Sequence, residues 1–366
     1  MRVAHAEVVP YALPFRQPYV TARGELRRRE MVLLRLRDDE GRVGLGEAVP
    51  LALRGGVGLE TVVRELEALA ETALLDPEGF AADARAAALS APARCAVETA
   101  LWDLAERAGP RAGERLPFQA HSDRKGNLDE EEAPARLVRC NATLVAGAPA
   151  EVAAEAEGWA AEGFGTFKLK LGAGDDVGQV RAVRDALGPE VRIRVDANAS
   201  WSVEAATRVL GAIEPYGIEL VEQPVETLEQ MAELAQQTEI PLAADESVAS
   251  AAEAKLAAEL GACAVTGVKL SKVGGRPEAE AIMRELPGYL SSALDGPVGI
   301  AAAALLAAEQ GAPGEQPRAH GLATGRLFAS SIAAVGPALE GDLLRVPPGP
   351  GLGVEIEEDS LQAHRL

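Results

Sequence analysis

A chain of 366 residues, 48% hydrophobic and 25% charged, has the composition of a soluble globule too long for one simple core, so a large barrel or two domains is expected. Acidic residues outnumber basic ones by 56 to 36, a field that repels a nucleic-acid backbone and leaves small molecules or cations as partners. No apolar run reaches the ~20 residues of a membrane span, and MRVAHAEVVPYALPF lacks the layout of a secretion signal, so a cytoplasmic address with no membrane partner is expected.

In chain order, residues 7–15 and 30–37 read as strands joined by the arginine-rich loop QPYVTARGELRRR. Helical spacing follows in LETVVRELEALAETALL and from Ala91 to Ala108, giving an α+β domain over 1–125. The polar stretch HSDRKGNLDEEEAP, residues 121–134, marks the connection to a second domain. Over 136–341 eight short apolar runs alternate with helical segments: VRCNATL, GTFKLKL, RIRVDAN, IELVEQP, PLAADES, AVTGVKL, YLSSAL and PRAHGLA. Charged or polar groups stand where these runs stop, which matches the catalytic rim of a (β/α) barrel better than an open doubly wound sheet. The tail 342–366 is expected to return to the N-terminal domain. Cys95, Cys140 and Cys263 are scattered and without CxxC spacing, so neither a disulfide framework nor a zinc site is expected.

Only six of the 36 basic residues are lysine, and three of them, Lys168, Lys170 and Lys269, sit in apolar, strand-like runs. Arginine does not give up its proton, whereas lysine can be tuned into a base, so these three are candidates for chemistry. Alternation points Lys168 and Lys170 of FKLKL to one face, where two cations are expected to depress one another's pKa. Asp196, Glu222 and Asp245 end three successive runs, so three carboxylates should meet on one rim and need a hard cation, Mg²⁺ with Mn²⁺ as its close competitor. Asn198 and Ser247 follow two of these acids and read as groups that orient them, whereas Lys272 reads as a loop or helix-entry cation. Of the four histidines only His320, ending the last run, could face the site.

The ordered set KLK, VDAN, VEQP, ADES and VKLSKVGG resembles the muconate-lactonizing-enzyme subgroup of the enolase superfamily over essentially the whole chain. GEAVP and ARCAVETALWDLAERAG look like the capping domain of that subgroup. The resemblance implies an α/β fold, a (β/α)7β modified TIM barrel with an N-terminal α+β capping domain completed by the tail. It also implies that Lys170 removes a proton alpha to a carboxylate while Mg²⁺ on Asp196, Glu222 and Asp245 holds that carboxylate. Lys168 would assist, and Lys269 would be a cationic stabiliser or a second acid/base.

LSSALDGPVGIAAA and AHGLATG are similar to the o-succinylbenzoate synthases, menaquinone-pathway lyases of this subgroup, and the DxD typical of its dipeptide epimerases is absent. The expected reaction is loss of water from 2-succinyl-6-hydroxy-2,4-cyclohexadiene-1-carboxylate, giving o-succinylbenzoate. The alternatives are isomerases: an N-succinylamino acid racemase, a muconate cycloisomerase or a dipeptide epimerase. For the succinyl arm the candidates are Ser291, Ser292 and the helix start at Gly296–Gly299, with Thr21, Arg23 and Arg54 in the covering loops and His320 at the rim. The run Arg27–Arg29 reads as surface, and a homo-oligomer is left open.

Overall fold

A computed structural model describes residues 2–21, 24–52, 55–75, 79–109, 136–311 and 318–366. The chain opens with an antiparallel sheet of β1 (Val3–Thr21), β2 (Gly24–Asp38) and β3 (Val43–Ala48). Both long strands run through the arginine-rich stretch expected to be a loop, since Tyr19, Val20 and Thr21 pair with Leu26, Glu25 and Gly24. Continued cross-strand pairing is the reason, and the irregularity it requires falls between Pro14 and Tyr19.

Helices α1 (Leu59–Leu75), α2 (Phe80–Ala86) and α3 (Ala91–Ala108) cover one face of this sheet, where Val32, Leu34 and Leu36 pack with Val62, Leu66 and Ala96. Strand β3 lies directly on α3 because Gly44 and Gly46 carry no side chain there. A Cβ at Gly46 would overlap the Ala96 carbonyl. Alternate residues Tyr11, Leu13, Met31, Leu33 and Leu45 face the other way and join the core of the rest of the chain.

After β4 (Leu137–Arg139), parallel strands and helices alternate: β5 (Ala142–Leu144), α4 (Pro149–Ala161), β6 (Thr166–Lys170), α5 (Asp176–Leu187), β7 (Arg192–Asp196), α6 (Val203–Ile213), β8 (Ile218–Glu222), α7 (Leu228–Ala235), β9 (Leu242–Ala244), α8 (Ala251–Leu260), β10 (Val265–Val268), the short α9 (Leu270–Val273), α10 (Arg276–Glu285), β11 (Gly288–Leu290) and α11 (Pro297–Ala308). Side-chain caps from Asp175, Ser202, Thr227 and Ser250 start four of these helices, Thr227 with Gln230 as a capping box.

Seven strands form one parallel sheet in sequence order from β5 to β11. Residues 319–321 close it, because His320 bridges Cys140 beside β5 and Gly321 bridges Ser291 beside β11. A 3₁₀ turn rather than an α-helix follows, over Ala323–Leu327, so the architecture is a (β/α)7β barrel with an N-terminal α+β layer.

The tail forms β12 (Ala333–Val335), β13 (Ala338–Glu340), β14 (Leu343–Arg345), β15 (Glu355–Ile356) and α12 (Glu358–His364). Strand β14 pairs with β4, and the chain end returns to the first strand, where Leu366 N–H donates to Pro10 O at 3.0 Å. The sequence-predicted connection at 121–134 lies outside the described residues. Cys95, Cys140 and Cys263 are free thiols, the first two buried. Among the described residues no helix is long and apolar enough to cross a membrane.

Candidate active site

Register brings the chemistry together: Lys170 on β6 pairs with Asp196 on β7, which pairs with Glu222 on β8. Glu222 in turn pairs with Ala243, which puts Asp245 two residues further along the rim, just past β9. The carboxylates of all three acids are fully buried. Lys168 Nζ lies 2.8 Å from Asp196 and 2.5 Å from Glu222, and Lys170 Nζ lies 2.6 Å from Asp196. Lys269, just past β10, pairs with Asp245 and stands 3.8 Å from Glu222.

Asp196 is held well below the ordinary carboxylate range, because Lys168, Lys170 and Lys269 outweigh the burial that would raise it. The expectation that neighbouring cations depress one another does not describe Lys168. Burial pulls its ammonium down, but Asp196 and Glu222 outweigh that and hold it well above its usual value. Lys168 is therefore the protonated partner of the acids.

The loops past the strands hold these groups in place. Asn198 accepts from Lys170 Nζ at 3.1 Å and donates its backbone N–H to Asp196 at 2.9 Å. Gln223, to which the sequence pattern assigns no role, is buried, and its Oε1 accepts from Asp245 N–H at 2.8 Å and from the Ser247 hydroxyl at 3.0 Å. Ser247 thus acts on Asp245 through Gln223.

Lys272, expected as a loop or helix-entry cation, belongs to the cluster: its Nζ is 3.0 Å from Asp245 Oδ1 and also meets the Asp245 carbonyl. Its spacing, one helical turn after Lys269, was the available signal. Tyr289 donates its hydroxyl to Glu222, and the Arg194 guanidinium lies 5.1 Å from the Tyr289 ring centre. Among the described residues, the only non-glycine residues with positive φ are Asn198, Ala199, Gln223 and Leu294, all in loops at this end of the barrel. Backbone strain concentrates where geometry must be held.

Above the cluster lies a cavity open to solvent, with Lys168, Lys170, Asn198 and Lys269 on its barrel side and Tyr19, Leu26, Arg29 and Leu51 on its N-terminal side. Ser291 and Ser292 line it as expected, but the Ser292 hydroxyl is committed to Asp295 at 2.9 Å. The Gly296–Gly299 helix start is not an open anion site. The chain's own Glu47 fills it, accepting from Gly296 N–H at 2.6 Å and from Tyr11 O–H at 2.8 Å.

His320 does not reach the cavity: it is buried, Nδ1 accepts from Leu290 N–H at 3.0 Å, and burial lowers its pKa to about 4. Arg29 departs from the surface role read for Arg27–Arg29. The side chains of Arg27 and Arg28 are 79% and 59% exposed, whereas Arg29 is 9% exposed and lines the cavity. Arg23 and Arg54 lie outside the described residues, as does the Thr21 side chain, whose backbone pairs with Gly24.

This arrangement of register, rim and cap has a counterpart among known proteins. Residues 151–360 match the enolase C-terminal domain-like family, and residues 3–111 match the mandelate racemase / muconate lactonizing enzyme N-terminal domain. The chain belongs to the enolase superfamily. Within that superfamily it falls in the muconate-lactonizing-enzyme subgroup.

An o-succinylbenzoate synthase from Thermobifida fusca (strain YX) is 38% identical over 208 residues, 55% of this chain and 64% of that protein. An L-Ala-D/L-Glu epimerase from Bacillus subtilis (strain 168) is 28% identical over 97% of each chain. An N-succinylamino acid racemase from Amycolatopsis sp is 35% identical over 54% of each chain. The structure of a dipeptide epimerase from Cytophaga hutchinsonii, complexed with Mg and D-Ala-L-Val, aligns at a TM-score of 0.84 with 26% identity, covering 100% of this chain and 98% of that one. The relatives of this enolase-superfamily enzyme thus include both lyases and isomerases.

The rim suits a hard cation by its donors, three carboxylates and no sulfur or nitrogen. Glu222 Oε1 is buried and accepts no hydrogen bond, a lone pair left for a ligand. Ammonium groups now bridge the acids, Lys168 between Asp196 and Glu222 and Lys269 between Glu222 and Asp245. As arranged here no three potential ligands among the described residues are gathered for one ion, so a cation would take the place of Lys168 and Lys269 between these acids.

Proposed function

We propose that this enzyme is a Mg²⁺-dependent lyase that dehydrates 2-succinyl-6-hydroxy-2,4-cyclohexadiene-1-carboxylate to o-succinylbenzoate. The observation that carries the reading is the sign of the cavity lining. Lys168, Lys170 and Lys269 face it, and no aspartate or glutamate lines it among the described residues. Such a lining suits an anion and, among the described residues, offers no carboxylate to the ammonium group of a dipeptide. The 38% identity to the Thermobifida synthase over 208 residues supports the same reading.

In this reading residues 1–125, completed by 342–366, cap a catalytic barrel of residues 136–341. Asp196, Glu222 and Asp245 would hold Mg²⁺, which when bound offsets the charge that develops on the substrate carboxylate. Lys168 holds that carboxylate. Lys170, in its neutral form, takes the proton from C1, and the electron pair left behind expels the C6 hydroxyl as the ring becomes aromatic. The proton gained by Lys170 leaves with the hydroxide as water, so the amine is restored. Asn198 fixes the Lys170 amine.

The test is a spectroscopic assay with purified protein and Mg²⁺, following loss of the diene. Turnover that EDTA abolishes supports the lyase. No turnover by folded, Mg²⁺-binding protein would overturn it.

One observation favours a second reading, racemisation of N-succinylamino acids. Lys170 ends the second and Lys269 follows the sixth of eight barrel strands, on opposite sides of the mouth, so each could serve one face of a substrate. Lys269→Ala should then abolish racemisation and the solvent-deuterium exchange of the enantiomer whose proton Lys269 takes, while Lys170 still exchanges the other. A lyase using one face would keep proton abstraction.

A further inference from the structure

The barrel strands carry a second inward-facing layer below the rim. Arg194, Leu220 and Ala243 stand two residues before Asp196, Glu222 and Asp245 respectively, so strand alternation turns them to the same side as those acids. Tyr289 on β11 packs into this layer with Leu220, Ala243 and Val265 and is almost fully buried. Space for its hydroxyl comes from Gly267, its partner on β10, where a Cβ would stand 3.2 Å from the Tyr289 oxygen. The Arg194 guanidinium, held by Glu219 and the Ala319 carbonyl, lies against the Tyr289 ring.

The two oxygens of Glu222 are treated differently. Tyr289 and Lys168 both donate to Oε2, whereas Oε1 is buried and accepts no hydrogen bond. Lys168 reaches Oε2 from the cavity side and is one of the ammonium groups that a cation would replace, while Tyr289 comes from inside the barrel and would stay. A carboxylate with one oxygen engaged offers a metal only the other. That suits Mg²⁺ with its strict octahedral shell, whereas the larger Ca²⁺ takes about six to eight oxygens and often both from one carboxylate.

We propose that Tyr289 is a positioning residue for the cation site: by holding Oε2 it makes Glu222 a one-oxygen ligand and so biases the rim toward Mg²⁺ over Ca²⁺. The inference deepens the proposed function and rests on its assignment of Asp196, Glu222 and Asp245 as the cation site.

The test titrates Mg²⁺ and Ca²⁺ separately, by calorimetry and without substrate, into metal-free wild type, Tyr289→Phe and Asp245→Asn. Tyr289→Phe removes only the hydroxyl. It should weaken Mg²⁺ binding by roughly 10-fold or more, the usual worth of a group that orients a metal ligand, while Ca²⁺ binding falls less or strengthens. The Mg²⁺-to-Ca²⁺ affinity ratio should therefore drop by about 10-fold. A merely structural role would weaken both cations equally, and an unchanged ratio would overturn the inference.

Asp245→Asn separates that failure from failure of the site itself. Absence of Mg²⁺ binding by folded wild type, or full binding by Asp245→Asn, removes the rim as the cation site, and the role of Tyr289 falls with it. Mg²⁺ binding that Asp245→Asn abolishes, with an unchanged ratio in Tyr289→Phe, leaves the site standing and rejects only Tyr289. A folding defect in Tyr289→Phe, seen by thermal unfolding, moves the judgement to Gly267→Ala. There the added methyl crowds the hydroxyl away from Glu222 while the ring remains, and the ratio must fall in the same direction.

Discussion

Two buried clusters of acids stand close to the same cavity and are built in opposite ways. At the barrel rim Asp196, Glu222 and Asp245 meet the ammonium groups of Lys168, Lys170, Lys269 and Lys272. Between cap and barrel, among the described residues, Glu47 and Asp295 meet neutral donors: Tyr11, Ser271 and Ser292 hydroxyls and the backbone N–H groups of Ala293, Gly296 and Gly299. The first environment keeps Asp196 ionised. The second pushes Glu47 up to about 7, by burial first and by the Asp295 charge next.

The difference separates chemistry from architecture. In the proposed function the rim handles protons and a divalent cation, and it keeps formal charges in place, each with a counter-charge. A joint between two layers needs only satisfied hydrogen bonds, and Glu47 supplies them by capping α11 at Gly296 from 249 residues away.

The comparison breaks most sharply at Lys170. Lys170→Ala should lower kcat by roughly 10²- to 10⁴-fold, the usual worth of a positioned base, with little change in unfolding temperature. A loss smaller than tenfold in the steady-state assay would move the base elsewhere.

The Glu47 joint should appear in stability rather than rate. Its folded pKa lies above the ordinary carboxyl value of 4.5, so its contribution is complete below about pH 4.5 and is lost as pH rises through about 7. The full loss is of order 3 kcal/mol. Buried His320 acts in the opposite sense: its pKa is lowered from 6.5 to about 4, so its contribution is present above pH 6.5 and is lost as pH falls toward 4. Subtracting wild type from Glu47→Gln in denaturant unfolding isolates the glutamate. The variant should gain relative stability between pH 5 and pH 7.5, and a difference that stays flat over that range would refute the buried-acid account.

A smaller effect belongs to Gln223, whose Oε1 gathers the backbone N–H groups of Asp245 and Ser247. Gln223→Leu strands those donors and should cost about 1–3 kcal/mol in stability, with a loss of about 10- to 100-fold in Mg²⁺ affinity measured by calorimetry. Unchanged Mg²⁺ affinity would make Gln223 a structural residue alone.

Much of this molecule is written locally. Eight apolar runs, each stopping at a polar residue, are enough to imply a barrel and its rim, because a parallel strand buried on both faces needs an apolar run and functional groups gather where it ends. For the same reason Lys168, Lys170, Asp196, Glu222, Asp245 and Lys269 could be picked out from FKLKL, RIRVD, IELVE, PLAAD and TGVKL. Spacing within one strand or one helical turn carries that information.

Other features depend on which face meets which partner across long stretches of chain. Arg29 sits in a run of three arginines that reads as solvated, and only the packing of β2 on the barrel turns the third one inward. The Gly296 helix start reads as an anion site, and the fold fills it with Glu47. Ser292 reads as a substrate hydroxyl and is spent on Asp295. The sequence by itself determined the order of the elements and the chemical groups at the rim, since both follow from local periodicity. Tertiary structure alone decided how those groups are paired, because hydrogen-bond and charge partners are chosen by proximity in space.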